Sequence, residues 1–329
     1  MDAITRVQIA SANTKRDASI DAFRVIAFCA IVLIHGAAFK DPNPVSLGHA
    51  IVSLSSFAVS YFFIVAGYFS AKSIRTPRTA LWRLFKRLVP LFIGWGLFYT
   101  LLFKGSLSDL LTPNGAAHFL YTGGAAYHLW FLPALGFGLA IYLLTKDRVT
   151  LRTQLGLAAV LYLFGYLFGP AHSAFHLPAA PLGVRNGPFV SYTFVLMGAV
   201  LASHPVRLSA QLSIVLFVGA AAVHLAEGFI LHLMGGLPID GVGYQLSTVP
   251  YALSAFLLAT SFPSRLFGSL GLSALGYYLI HPLFLYLLQF GFPSENLRDR
   301  LIIALLTIVA SIISVQLLNR FRWTRLLVN

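Results

Sequence analysis

The first long apolar run of the chain, residues 20 to 39, holds Asp21, Arg24 and His35 among side chains otherwise suited to lipid. Read as one helix, the three share a face. Eleven residues at ~100° each separate Arg24 from His35, three turns with about 20° left over, and Asp21 lies one turn before Arg24. At ~1.5 Å rise per residue the guanidinium and the imidazole stand roughly 16 Å apart along the axis, about half the thickness of a bilayer core. Ionisable groups at that depth are costly unless they face a bundle interior or a water-filled cavity, so the rest of the chain is required to build one.

Composition supports this. Hydrophobic residues make up 58% of the chain and charged residues 10%, and the mean hydropathy of +0.80 excludes a water-soluble globular domain. The expected fold class is all-α, a polytopic membrane helix bundle of about ten transmembrane helices. Spans are expected near 20 to 39, 50 to 70, 85 to 103, 126 to 145, 151 to 168, 187 to 203, 209 to 232, 244 to 262, 270 to 290 and 301 to 319. One transmembrane domain, 20–320, is expected between an N-terminal segment, 1–19, and a basic tail, 321–329. The apolar run at 20 to 39 is longer than a signal-peptide core and lacks a small-residue cleavage site, so it is expected to stay as an anchor.

A net charge of +13 raises the question of nucleic acid, but the cations gather in particular loops instead of forming one soluble basic face. No nucleic-acid partner is expected. Lys72, Arg75, Arg78, Arg83, Lys86 and Arg87 follow the second span, and Lys146, Arg148, Arg152, Arg207, Arg265, Arg320, Arg322 and Arg325 fall on the same side. The positive-inside rule then places both termini in the cytoplasm, with Trp82 and Trp323 at the inner interface. Cys29, the single cysteine, permits no intramolecular disulfide. The larger outer loops, 104 to 125 and 169 to 186, are the expected mouth of the cavity.

Five stretches carry a resemblance. "RDASIDAFRVIAFCAIVLIH" resembles the start of the acyltransferase family 3 membrane proteins, in which an arginine and a histidine ten residues apart lie in the first span; here these are Arg24 and His35. In order, "YFFIVAGYF" at 61 to 69 is similar to the second-span motif, "RLFKRLVP" at 83 to 90 to the basic start of the third, "HLWFLPAL" at 128 to 135 to the fourth and "LGYYLIHPLF" at 275 to 284 to the ninth. Two departures stand out. Ala66 occupies the place of a small polar residue before Gly67, and the family's paired arginines two residues apart are replaced by Arg83 with Lys86 or Arg87. Longer members carry an extracytoplasmic hydrolase-like domain, whereas this chain ends directly after its last span, so acceptor handling is expected of a separate periplasmic partner or of a homo-oligomer.

The resemblance implies transfer of an acyl group, usually acetyl, from cytoplasmic acyl-coenzyme A to a hydroxyl of a carbohydrate or lipid-linked sugar at the outer face. Coenzyme A carries several phosphate charges, and Arg83, Lys86 and Arg87 are the cations expected to hold them. The distance from Arg24 to His35 then matches the reach of the long flexible arm, bringing the thioester to His35. A sugar hydroxyl needs a positioned base with a pKa near 7, which neutral imidazole supplies; a covalent acyl-histidine relay uses the same residue. Asp21 and Arg24 either orient that chemistry or neutralise each other at the membrane surface.

Other residues carry two readings each. His128 and Trp130 either bind acceptor or mark an interface, and His281 before Pro282 reads as a group that adjusts a kinked helix. Glu227 and His224, three apart in a late span, form either a substrate-binding or proton-relay pair or a satisfied interhelical hydrogen bond. His172 and His176 have no third ligand at recognisable spacing, and no metal is expected. A transporter or exporter of a small or saccharide substrate also uses ten spans and buried charges, but would show paired broken helices in corresponding halves.

Overall fold

The computed structural model describes residues 17–37, 41–73, 76–180, 183–241, 244–262, 268–292 and 294–328. Among these, all regular structure is helical. In chain order the helices are α1 (Ala18–Gly36), α2 (Leu47–Ser55), α3 (Phe57–Ala71), α4 (Pro77–Lys104), α5 (Pro113–Thr122), α6 (Phe131–Thr145), α7 (Leu151–Phe168), α8 (Pro188–Ser203), α9 (Ala210–Gly235), α10 (Thr248–Ser261), the single turn α11 (Gly268–Gly271), α12 (Ala274–Gly291) and α13 (Leu297–Leu318). Short 3₁₀ turns precede α5 and α8 and follow α13. With α2 and α3 taken as one 25-residue span, and α8 taken with the turn before it as the 20-residue span Val184–Ser203, eight of the described helical segments are long and apolar enough to cross a membrane; α6 and α10, at 15 and 14 residues, are shorter. Length and composition thus support eight of the ten expected spans. Arg75 and Arg265, two of the inner cations, lie outside the described residues.

Local chemistry sets many of the boundaries. Asp17 caps α1, accepting from the Ser19 and Ile20 amides, while Thr76, Thr150, Ser209 and Asn296 cap α4, α7, α9 and α13 through their side chains. Pro77 sits where a missing N–H costs nothing, and Gly105 and Gly236 end α4 and α9 at φ of 69° and 70°. The second expected span, 50 to 70, is divided at Ser56 into α2 and α3. The hydroxyl of Tyr251 donates to the Leu54 carbonyl at this break, 2.6 Å away.

The core is organised by α1 and by a crossing of α3 over α8. A Cβ at Gly67 would stand 1.9 Å from the Val195 carbonyl oxygen, and one at Gly198 the same distance from that of Ile64. The two backbones touch because neither glycine has a side chain, the close approach that membrane helices use where water cannot drive packing. Tyr61, Phe63, Tyr192 and Phe194 are fully buried around this crossing. Helix α1 packs against α2, α3, α10, α12 and α13, and the turn α11 presses Gly271 onto the Asp21 backbone. Its polar face is therefore surrounded by protein.

Candidate functional site

A cavity of about 400 Å³ opens beside the first turns of α1. Arg24 from α1 and Arg83 and Arg87 from α4 line it together with Ser70 and Ser73 at the end of α3; deeper in, the lining turns apolar through Phe62, Leu135 and Phe131 and includes Tyr278 of α12. The spacing of four places Arg83 and Arg87 on one face of α4, and α4 lies against the cavity wall. Arg24 donates from Nη1 to Asp21 Oδ1 at 2.7 Å and stands over the Phe69 ring. Among the described residues Arg83 and Arg87 have no carboxylate within ion-pair distance. Two guanidinium groups without a carboxylate partner at the edge of a largely apolar cavity can attract an anionic group there. Lys86, expected with them, is not among the lining residues: its ammonium rests 4.8 Å from the Trp82 ring centroid. The cation–aromatic contact keeps its charge on the exposed side of α4.

His35 lies beyond this cavity, in a group of histidines and aromatics. Its ring stacks on His281 at 5.4 Å between centroids and 18° between planes, and meets the edge of Tyr127 at 4.9 Å. His281 in turn meets His128 at 5.5 Å. Tyr278 lies against both His128 and His281, donates its hydroxyl to the His128 carbonyl, and also lines the cavity, so one side chain is common to the two regions. The expectation that Arg24 and His35 open into one cavity needs correcting to this extent. Asp21 pairs with Arg24 at the N-terminal end of α1, the His281 and Tyr127 rings hold His35 at the other end, and His35 is not a lining residue.

His281 was read from sequence as a helix-adjusting group, and it does serve one carbonyl: its Nδ1 donates to Tyr278 O at 2.7 Å. That bond fixes the tautomer and leaves the Nε2 lone pair, which has no hydrogen-bond partner among the described residues, inside the cluster. The sequence signal was a histidine one residue before Pro282, which also suits a kink. Arg185, in the outer loop 169 to 186, belongs to no motif and carries no signal in the sequence. It stands with its guanidinium carbon 5.3 Å from the Trp130 ring centroid. His128 and Trp130 are thus brought to the same region as His35, by the turn that leads into α6.

Glu227 is not. Its two carboxylate oxygens accept from the Leu246 and Ser247 amides at 2.9 and 2.8 Å, fixing the turn that leads into α10. His224 on the same face is hydrogen-bonded to Ser56 Oγ at 2.7 Å and to Ser247 Oγ at 2.9 Å, tying the α2–α3 break to the start of α10. The pair is a structural clamp, and Glu227 as a substrate-binding residue is corrected accordingly. His172 hydrogen-bonds the Gly169 carbonyl. Among the described residues no three His, Cys, Asp or Glu side chains gather as a metal site.

The family model described as an acyltransferase domain matches residues 17–320. The chain belongs to this acyltransferase 3 family. It is 27% identical over 320 residues to a serine/alanine racemase of Enterococcus gallinarum, a match covering 89% of this chain and 45% of that protein. It is also 28% identical over 205 residues to an amino-acid racemase of Enterococcus faecalis, covering 57% of this chain and 28% of that protein. The chain therefore spans less than half the length of either relative. No solved structure matches it.

Proposed function

We propose that this chain moves an acyl group, acetyl foremost, from cytoplasmic acyl-coenzyme A to a hydroxyl of a carbohydrate or lipid-linked sugar at the outer face of a bacterial inner membrane. Ten spans and cytoplasmic termini belong to this reading. The observation that supports it is the arrangement on the two sides of Tyr278: guanidinium groups of Arg83 and Arg87 without a carboxylate partner line an apolar cavity that Tyr278 borders, and the same Tyr278 ring lies against His128 and His281, on which His35 stacks. Phosphates of coenzyme A suit the first, its arm the second, and a reacting thioester the last. His35 takes the hydroxyl proton as the oxygen attacks the thioester carbonyl. The C–S bond then breaks, and the thiolate leaves with the proton held by the imidazolium. Asp21 holds Arg24 at the cavity wall. An acyl-histidine relay uses the same residue and differs in forming a covalent intermediate.

A second reading, a transporter or exporter of a small or saccharide substrate, would use the same spans, buried ionisable groups and cavity without a base beside a thioester. The experiment is thermal unfolding of the detergent-purified protein with acetyl-coenzyme A. A ligand at ~100 times its dissociation constant adds about 2.7 kcal/mol to the native state. A saturable rise in melting temperature is expected; its absence from folded protein, with succinyl-coenzyme A equally silent, would turn the work to transport.

A further inference from the structure

Arg185 lies in the 3₁₀ turn Val184–Asn186, directly before α8, where the outer loop 169 to 186 returns to the bundle. Three observations single it out. Its guanidinium packs on the indole face of Trp130, which immobilises a side chain that would otherwise be free in solvent. It is half-buried and, among the described residues, makes no hydrogen bond and no ion pair, although a guanidinium offers five donors. And the indole it rests on belongs to Trp130, two residues after His128, whose ring meets that of His281, so its unused donors are held on the side of the bundle where the histidine cluster lies. A desolvated, immobilised and unpaired guanidinium is costly unless something anionic completes it.

We propose that Arg185, held on Trp130, binds an anionic group of the acceptor, a carboxylate or a phosphate, and thereby sets a neighbouring acceptor hydroxyl against His35. This deepens the acyl-transfer reading and rests on it for the meaning of acceptor. The fork of the guanidinium matches either anion with two parallel hydrogen bonds, which fixes orientation as well as position. The acceptor is then an acidic saccharide or a sugar phosphate, and a neutral sugar lacks the anchoring group.

The test follows melting temperature of the full chain in detergent on titration with sodium glucuronate, glucose 1-phosphate, glucose, and sodium chloride at matched ionic strength. A saturable rise with glucuronate or glucose 1-phosphate, absent with glucose and with salt, is expected, and which of the two acts identifies the anion as carboxylate or phosphate. In Arg185→Gln the midpoint of that titration should move at least about tenfold higher, with Arg185→Lys in between because it keeps the charge and loses the fork. No saturable rise with either anion overturns the proposal. So does a rise that survives Arg185→Gln but disappears in the Arg83→Ala, Arg87→Ala double variant, since the anion then sits in the cavity that those two arginines line. Acetyl-coenzyme A is added to the same samples. Stabilisation by it with no anion effect defeats the Arg185 site alone, whereas an Arg185-dependent anion effect without it defeats the acyl-transfer reading and leaves the anion site standing.

Discussion

At the level of single residues, the site separates groups that share a sequence pattern. Arg83, Lys86 and Arg87 lie within five positions on one helix, yet only the two arginines line the cavity, and Lys86 lies over Trp82. Charge-assisted bonds are worth about 1.5–3 kcal/mol each, so replacing both arginines with alanine should weaken acetyl-coenzyme A binding by about tenfold or more. Lys86→Ala should leave the midpoint of the same titration within roughly twofold. His35→Gln keeps the shape of the ring site and removes the base. It should abolish transfer while the stabilisation by acetyl-coenzyme A persists, and transfer retained in this variant would remove His35 from the chemistry. His281 was visible in the sequence but ambiguous there: one residue ahead of a proline it suits a kink, and only its contact with His35 shows that it also faces the cluster.

Elements meet through small residues and buried polar clamps. The crossing of α3 over α8 leaves no space for a methyl group at Gly67, because the atom it would meet is the Val195 carbonyl and backbone does not rotate away. Gly67→Ala should therefore destabilise the protein by about 1–3 kcal/mol, seen as a lower melting temperature without ligand. Sequence showed Gly67 only as part of a motif; its partner Gly198 lies more than a hundred residues later in another helix. Glu227 teaches the converse. A carboxylate inside a late apolar run reads as functional by cost alone, but the turn that leads into α10 uses both of its oxygens. Glu227→Gln keeps one acceptor and should cost roughly 1–2 kcal/mol of stability with the acetyl-coenzyme A midpoint unchanged.

Across the whole molecule, loops between the helices are strapped by polar contacts between distant segments. Asp41 Oδ2 accepts from Arg300 Nη2 at 2.8 Å, His49 Nδ1 pairs with Asp240 Oδ1 at 3.1 Å, and the Ile239 amide donates to the Pro44 carbonyl at 3.0 Å. The Ser46 hydroxyl first, and then the Asn43 amide and Arg300, hold the Asp41 carboxyl below its ordinary value of 3.8, while burial pushes that of Asp240 up. For Asp41 the sign follows directly. Its folded form binds a proton less readily than its unfolded form, so its contribution is full above the ordinary value, declines below it, and is gone once pH passes under the depressed one. Asp240 contributes the opposite way, favouring the fold at low pH until its raised value is passed. Asp41→Asn should thus lower the melting temperature at pH 7 and flatten its fall on acidification from pH 5 to 3, an outcome read by a melting series in matched buffers.

Most of the membrane helices were legible in the residues because lipid leaves the backbone no partner but itself, so a long apolar run becomes a helix; the start of α4 at Pro77 instead of near 85, and α5 inside the expected loop 104 to 125, were not. The polar face of α1 was legible for the same reason, since buried charge demands a protein interior. The break at Ser56 was not. It is held by His224 and Tyr251, which lie in other helices. Nor did spacing along the chain show that His35 stacks on His281, that Arg185 lies on Trp130, or that Asp21 keeps Arg24 away from the histidine cluster. Period and hydropathy decide what a segment becomes, because those forces act within about a turn of helix or against a uniform solvent. Which side chains meet is decided by how α1, α4, α6, α8 and α12 pack, and that depends on contacts between segments the chain brings together only when it has folded.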